Sequence, residues 1–186
     1  MRVVSWNCNG AYRKKFQYIK DIDADIHVIQ ECENPITSGV PEYIEYAANH
    51  IWHGSLKDIN KGVGIFAKPE IKLNELHWDN PDESLFIPVE VNGFFVLLAV
   101  WTTIELYYIG EYVDFQNANS EKFNNNMVII GDFNSGVNFD TKKGILENRS
   151  HTTVVNPISY WFMFGISCHY RRKTRSRISP DILLAP

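Results

Sequence analysis

The chain has 186 residues, of which 45% are hydrophobic and 22% are charged. This composition is typical of a globular protein and excludes a disordered, collagen-like or fibrous chain. No apolar run approaches the ~18 residues that a membrane span requires, and the N-terminus lacks the layout of a signal peptide. We therefore expect a cytoplasmic protein with no membrane partner. The three cysteines are odd in number and widely spaced, which favours neither a disulfide framework nor a zinc site.

The charge is distributed unevenly. The net charge is −4, but residues 171–186 hold five basic residues against one acid, which leaves −8 for the first 170 residues. Such an acidic segment over the first 170 residues is not typical of a protein that binds long stretches of nucleic acid. A short polyanionic substrate held through a metal ion remains compatible with it. We expect one domain over residues 1–170, followed by an atypical basic segment over residues 171–186.

The first 31 residues predict a strand, a helix and a second strand. Arg2–Trp6 favours a short strand, and Asn7-Cys8-Asn9-Gly10 favours a turn. Ala11–Ile22 spaces its apolar residues like an amphipathic helix. Ile26–Ile29 predicts a buried strand that presents the polar pair Gln30-Glu31 at its end.

The remainder of the chain is rich in short β-prone runs separated by turn signals. The predicted strands are Gly62–Ala67, Ile71–Leu76, Leu85–Val91, Phe94–Val100 and Met127–Ile130. Asn92-Gly93 predicts a hairpin, and Tyr108–Phe123 can form a helix. The histidines at 50, 53 and 77 fall in segments that resemble loops, whereas His27 is expected to pack within a strand. The pattern predicts one α/β domain with two sheets of mixed parallel and antiparallel pairing.

Three apolar strands end in polar clusters. The clusters are Trp6-Asn7-Cys8-Asn9, Gln30-Glu31 and Gly131-Asp132-Phe133-Asn134. Any one of them is explained by the polar turn residues that follow most buried strands. Together they supply carboxylate and amide oxygens, the ligands that Mg²⁺ prefers. An Asp in such a place can act as a base toward an attacking water.

These clusters resemble, in order, the W-N-x-N, Q-E and G-D-F-N motifs of the endonuclease/exonuclease/phosphatase (DNase I-like) superfamily. The resemblance covers about residues 2–135. It implies a four-layer α/β/β/α sandwich with the site where both sheets open at one edge. It also implies that Glu31 is the principal Mg²⁺ (or Mn²⁺) ligand and that Asn7 belongs to both the metal site and the catalytic set, lying beside the metal and orienting Glu31 or the phosphate. Asp132 would position or deprotonate the attacking water, and Asn134 would stabilise phosphoryl oxygens.

The sequence departs from the family pattern toward its end. No Ser-Asp-His triplet occurs, and the segment Arg177–Leu184 matches the family's closing motifs poorly. We therefore expect a domain that is incomplete at its C-terminus. Three other residues are weaker candidates for a phosphate contact: Asn9, His151 and His169. Each of the two histidines has a simpler interpretation as a surface or loop residue.

The resemblance implies a divalent-metal-dependent phosphoester hydrolase, more a nuclease or phosphodiesterase than a small-molecule phosphatase, acting as a monomer. The missing triplet leaves open an inactive or truncated member that binds metal, phosphate or protein. A generic α/β binding domain with coincidental motifs is a third interpretation. Convergence of Asn7, Glu31, Asp132 and Asn134 on one place in the fold would argue against the third interpretation.

Overall fold

The computed structural model describes residues 1–54, 61–80, 85–103, 109–124, 126–134, 163–165 and 182–183. The strands of this part are β1 Arg2–Asn7, β2 Ile26–Cys32, β3 His50–Gly54, β4 Gly62–Ala67, β5 Leu73–Glu75, β6 Leu85–Val91, β7 Phe95–Trp101, β8 Met127–Asp132, β9 Met163–Gly165 and β10 Ile182–Leu183. They form a first sheet of order β10-β1-β2-β4-β3 and a second of order β5-β6-β7-β8-β9. Both sheets mix parallel and antiparallel pairs.

The two sheets pack face to face, and helices cover their outer faces. Alternate residues of each strand point to opposite faces, so that Val28 and Ile130 lie in the core between the sheets. Their neighbours Ile29 and Ile129 lie in outer clusters. The first outer cluster includes residues of α1 (Gln17–Lys20) and α2 (Pro41–Tyr46), and the second includes residues of α3 (Ile109–Ala118). The predicted α/β/β/α sandwich is confirmed.

Strand direction brings four strand ends to one edge of the sandwich. β1 runs parallel to β2 in the first sheet, and β7 runs parallel to β8 in the second. β1 also contacts β8 across the interface between the sheets. The carboxyl ends of these four strands therefore meet at one edge, which we call the carboxyl edge. At the opposite edge Lys68 pairs with Asp25, with 3.0 Å between Nζ and Oδ1.

Most predicted strands are confirmed within a residue or two, and so is the Asn92-Gly93 hairpin. Both turn residues have positive φ, 53° and 72°, as the tight hairpin turn that joins twisted strands requires. β3, which carries His50 and His53, was missed, because those histidines were expected in loops. The helix α2 was missed as well.

The helix predicted over Ala11–Ile22 is wrong as a continuous element. The segment forms a 3-10 turn at Tyr12–Lys14 and then the four-residue α1. Ala11 is left-handed, with φ 55°. The Lys15 side chain bends back to the preceding loop, where Nζ donates to the carbonyl oxygens of Cys8 and Gly10 at 2.7 Å each. Phe16 and Ile19 are nevertheless buried, so the apolar spacing identified the correct face but not the unbroken helix.

A chain of hydrogen bonds links a buried histidine of β2 to the aromatic layer beneath α2. Tyr46 Oη lies 3.0 Å from His27 Nδ1 and 3.0 Å from Tyr12 Oη. His27 is only 7% exposed, which agrees with its predicted packing in a strand. Burial lowers the pKa of His27 from 6.5 to about 4, and nearby Lys68 acts in the same direction, whereas a backbone contact with Ile22 opposes them. His27 is therefore neutral in the folded protein near neutral pH.

Folding stability should fall when the pH drops from about 6.5 to about 4. In that window the unfolded chain binds a proton at His27 that the folded chain excludes, so the contribution of His27 is complete above pH 6.5 and is lost toward pH 4. The loss should reach about 3 kcal/mol. Urea unfolding of the wild type and of His27→Gln at pH 7 and 4.5 measures it. His27→Gln should reduce the dependence of the unfolding free energy on pH, whereas the control His77→Gln, at an exposed site, should leave it unchanged. Equal pH slopes in all three proteins would contradict the assignment of this dependence to His27.

Candidate active site

Asn7 and Glu31 meet at the carboxyl edge because of an irregularity in β2. β1 and β2 pair in register up to Asn7 opposite Gln30, and a bulge follows between Gln30 and Cys32. Glu31 lies at this bulge with φ 60°, a conformation that non-glycine residues seldom adopt. Bulges commonly redirect a side chain next to an active site. Here the Glu31 carboxylate accepts a hydrogen bond from Asn7, with 3.0 Å between Nδ2 and Oε1.

Asn7 also reaches the second sheet. Its Nδ2 donates to Asp132 Oδ2 at 2.6 Å, so that one amide group lies between the carboxylates of β2 and β8. Asp132 is the last residue of β8 and is 3% exposed. A buried carboxylate requires hydrogen-bond donors on its oxygens. Asn7 supplies one of them and thereby fixes the separation of Glu31 and Asp132.

The second donor to Asp132 comes from the turn that follows β8. The backbone N–H of Asn134 donates to Asp132 Oδ1 at 2.9 Å, and Asn134 itself is left-handed with φ 46°. The Asn134 side chain donates to the carbonyl oxygen of Thr102 at 2.8 Å. Thr102, just past β7, also donates its N–H to the carbonyl of Asp132 at 3.0 Å. The Asp-Phe-Asn turn is therefore held against β7.

The loop after Asn7 is fixed by its own side chains and by Lys15. Asn9 is exposed and left-handed, with φ 52°, and its N–H donates to Asn7 Oδ1 at 2.9 Å. This bond orients the Asn7 amide so that its NH₂ group points to the carboxylates. Cys8 is buried in the loop, and burial raises the pKa of its thiol to about 12, although Lys15 acts against the rise. The Cys8 thiol therefore stays protonated and is not a nucleophile.

Lys61 is a member of the site that the sequence did not reveal. It immediately precedes β4, and its Nζ lies 2.6 Å from Glu31 Oε2. The Glu31 carboxylate thus has Asn7 on one oxygen and an ammonium on the other. A second pair joins Arg13, in the 3-10 turn, to Glu33, just after β2, and Glu33 also accepts the backbone N–H of Arg13.

The arrangement fits a hard divalent cation with few protein ligands. Among the described residues, no group of three or more His, Cys, Asp and Glu side chains is arranged to hold a metal ion. Mg²⁺, however, is commonly bound through one or two carboxylates, with water and substrate oxygens completing its shell. Glu31 supplies such a carboxylate and is 18% exposed. The oxygen-only donors at this edge therefore suit Mg²⁺ or Mn²⁺ better than zinc.

The structure brings together four of the residues that the sequence singled out: Asn7, Glu31, Asp132 and Asn134. Asn9 contacts this group through its backbone. His151 and His169, the other candidates for a phosphate contact, lie outside the described residues. Lys61 was missed, and the only signal for it in the sequence is its place directly before the Gly62-Val63-Gly64 strand.

The sequence profile of the "Endonuclease/Exonuclease/phosphatase family" matches residues 4–180. That span covers nearly the whole chain. The chain belongs to the endonuclease/exonuclease/phosphatase family. The family resemblance carried by the three motifs is thereby confirmed, and so is membership in a family of nuclease and phosphatase hydrolases. Members of this family generally depend on a divalent metal. Proteins with curated descriptions yield no sequence match.

Solved structures similar to this family member include an AP endonuclease from Archaeoglobus fulgidus, with a TM-score of 0.50 and 14% identity over 73% of this chain and 58% of that one. TDP2 from Caenorhabditis elegans has a TM-score of 0.50 and 13% identity over 80% of this chain and 51% of that one. The 3'-5' exonuclease NExo from Neisseria meningitidis has a TM-score of 0.48 and 19% identity over 73% of this chain and 58% of that one. At such identities the likeness concerns the fold alone.

This family member thus spans little more than half the length of these solved structures. In the part of the chain that is described, no helix has the length and apolar character needed to cross a membrane.

Proposed function

We propose that the chain is a divalent-metal-dependent phosphoester hydrolase of the nuclease or phosphodiesterase kind. The observation that carries the proposal is the hydrogen-bonded row Glu31–Asn7–Asp132, which joins the ends of three strands from both sheets. The row is not needed to hold the sandwich together, because the hydrophobic cores on either side of each sheet already do so. Family membership supports the hydrolytic chemistry.

Each residue of the row, and Asn134 beside it, has a role that its contacts allow. Glu31 is the ligand of the cation. Asp132 is buried and carries N–H donors on both oxygens, so it is held in one orientation in which it accepts a proton from the attacking water. Asn7 keeps the two carboxylates at a fixed separation. Asn134 uses one N–H of its side chain on Thr102, and its second is the donor to a phosphoryl oxygen.

A bound Mg²⁺ or Mn²⁺ would supply neutralisation of the charge that develops on the phosphoryl group. The protein's own part is preorganisation. Every amide and carboxylate of the row is already hydrogen-bonded to a neighbour in the row or to backbone, so little reorganisation is needed when the substrate arrives. We place the reaction in the cytoplasm and in a monomer.

Nucleic acid is the first substrate class to test, since the name of one solved structure with this fold, the AP endonuclease, refers to a nuclease. The acidic segment argues for a short contact with the backbone rather than a long one. The test is a screen of plasmid DNA, RNA, an abasic duplex and sugar phosphates with Mg²⁺, Mn²⁺ or chelator. Cleavage of a nucleic acid only when metal is present supports the proposal. No turnover on any substrate would overturn it in favour of a binding role.

Glu31→Gln should abolish the metal-dependent hydrolysis, with a loss of about 10³-fold or more. The substitution keeps the shape of the side chain and one oxygen for Asn7, but it removes the charge that a divalent cation requires. Initial rates over a Mg²⁺ titration measure the effect. The matched control is Glu90→Gln, on β6 toward the opposite edge, where Glu90 accepts a hydrogen bond from Asn74. Equal rates for Glu31→Gln and the wild type would remove Glu31 from the mechanism.

A further inference from the structure

The Glu31 carboxylate is already paired with a cationic group of the protein itself, the ammonium of Lys61. Lys61 Nζ lies 2.6 Å from Glu31 Oε2, within the range of a strong charge-assisted hydrogen bond. Lys61 is 34% exposed and Glu31 is 18% exposed, so the pair is shielded from solvent on most sides without being sealed. The Lys61 side chain also runs beside the Asn7 loop, since a Cβ placed on Gly10 would lie 3.7 Å from Lys61 Cε.

The backbone makes this pairing specific rather than incidental. Lys61 directly precedes β4, which pairs antiparallel with β2, and Gly62 lies opposite Cys32. The same bulge that turns Glu31 toward the edge therefore aims it at the residue that enters β4. Lys68, at the far end of β4, forms a comparable pair with Asp25. β4 thus has a paired lysine at each end, but only the pair at the carboxyl edge includes a residue of the site.

An ammonium and a divalent cation compete for the same carboxylate. When a divalent cation binds to the oxygen that accepts from Lys61, the hydrogen bond from Lys61 has to break. Otherwise the oxygen contacts both cations, at a cost in electrostatic repulsion. Two positive charges a few ångströms apart in a partly shielded site repel strongly. A lysine in this position therefore weakens metal binding, while it keeps Glu31 neutralised and in place when no metal is bound.

We infer that Lys61 is an internal counter-ion of Glu31 that sets the affinity of the site for its divalent cation. The inference rests on the proposed function, in which Glu31 is the metal ligand. It assigns Lys61 the role of a positioning residue, because it acts on the metal site through Glu31. Its prediction concerns metal binding itself and does not need turnover.

Replacing Lys61 by methionine should tighten Mn²⁺ binding about tenfold. Methionine fills a similar space without a charge. The Kd for Mn²⁺ is measured by isothermal titration calorimetry and by the loss of the free-ion electron paramagnetic resonance signal. Lys68→Met is the matched control, since it removes a similarly exposed, paired lysine from the other end of β4. Its Kd should equal that of the wild type.

Lys61→Arg provides an independent test of opposite sign. A guanidinium can hold a carboxylate through two parallel hydrogen bonds and cannot lose its charge, so the Kd for Mn²⁺ should rise severalfold above that of the wild type. The expected order of affinity is Met above Lys above Arg at position 61. Thermal unfolding with and without Mn²⁺ checks the order, because a tighter site gains more stability from the same metal concentration.

Glu31→Gln separates the two possible failures. If Glu31→Gln binds Mn²⁺ as well as the wild type does, Glu31 is not the ligand and the proposed function fails together with this inference. If Glu31→Gln loses Mn²⁺ but the three residues at position 61 give one Kd, the metal site stands and the role of Lys61 is overturned. A folded Lys61→Met protein with weaker Mn²⁺ binding would overturn it as well.

Discussion

Replacing Asp132 by asparagine is expected to lower kcat by about 10²- to 10⁴-fold, the usual contribution of a general base. The substitution preserves the shape of the side chain and removes its charge. An asparagine at this position has one oxygen acceptor, whereas Asp132 accepts from two donors, Asn7 Nδ2 and the N–H of Asn134. The new NH₂ group therefore has to face one of these N–H groups, with no acceptor between them.

The control for this prediction is Asp25→Asn. Asp25 lies just before β2, at the edge opposite the site, where it accepts from the backbone N–H of Arg2 and from Lys68. These contacts hold the pKa of Asp25 below its usual value, the Arg2 hydrogen bond being the largest cause. The Asp25→Asn substitution should lower the stability of the fold and leave kcat unchanged. Steady-state rates at saturating metal distinguish the two variants, and an Asp132→Asn enzyme as fast as Asp25→Asn would exclude Asp132 as the base.

Most of the strands could be predicted because each of those carries a local signal that the tertiary structure does not override. Met127–Ile130 is apolar on both faces, as a strand between two packed layers must be. Asn92-Gly93 has the residues that tolerate positive φ in a hairpin. β3 was missed for the opposite reason. Its sequence, His50-Ile51-Trp52-His53-Gly54, is half-buried at the edge of the first sheet, and neither alternation nor an apolar run marks it.

The composition of the site could be predicted more fully than its geometry. Asn7, Glu31 and Asp132 each lie at or near the carboxyl end of a strand, and parallel neighbours bring such ends to one edge. What the sequence does not contain is the bulge that gives Glu31 its φ of 60°. Apart from the place of Lys61 before β4, the sequence also does not indicate its contact with Glu31, because this lysine reaches Glu31 across an antiparallel pair, 30 residues apart along the chain. Pairings of that kind are set by strand register and not by local pattern.

Gly131→Ala should destabilise the fold by about 3 kcal/mol or more, the cost of a forced overlap in a packed core. Gly131 lies in β8 with φ 153°, and an added Cβ would lie 1.9 Å from the carbonyl oxygen of Val100. That atom belongs to the backbone of β7, so no side-chain rotation can relieve the overlap. The free energy of unfolding in urea measures the effect. Gly93→Ala, with φ 72° and open space around it, should cost only about 1 kcal/mol.

The absence of a side chain at residue 131 also determines where Asp132 lies. Gly131 pairs with Val100 and Asp132 with Trp101, so any separation of β7 from β8 changes the position of Asp132 relative to Asn7. If Gly131→Ala keeps most of its stability, the strain has been relieved by such a shift, and kcat should fall in its place. Measuring the free energy of unfolding and kcat on the same preparation detects both outcomes, the loss of stability and the loss of turnover. A Gly131→Ala protein that matches Gly93→Ala in stability and the wild type in rate would show that the close approach of β7 and β8 is not needed for the site.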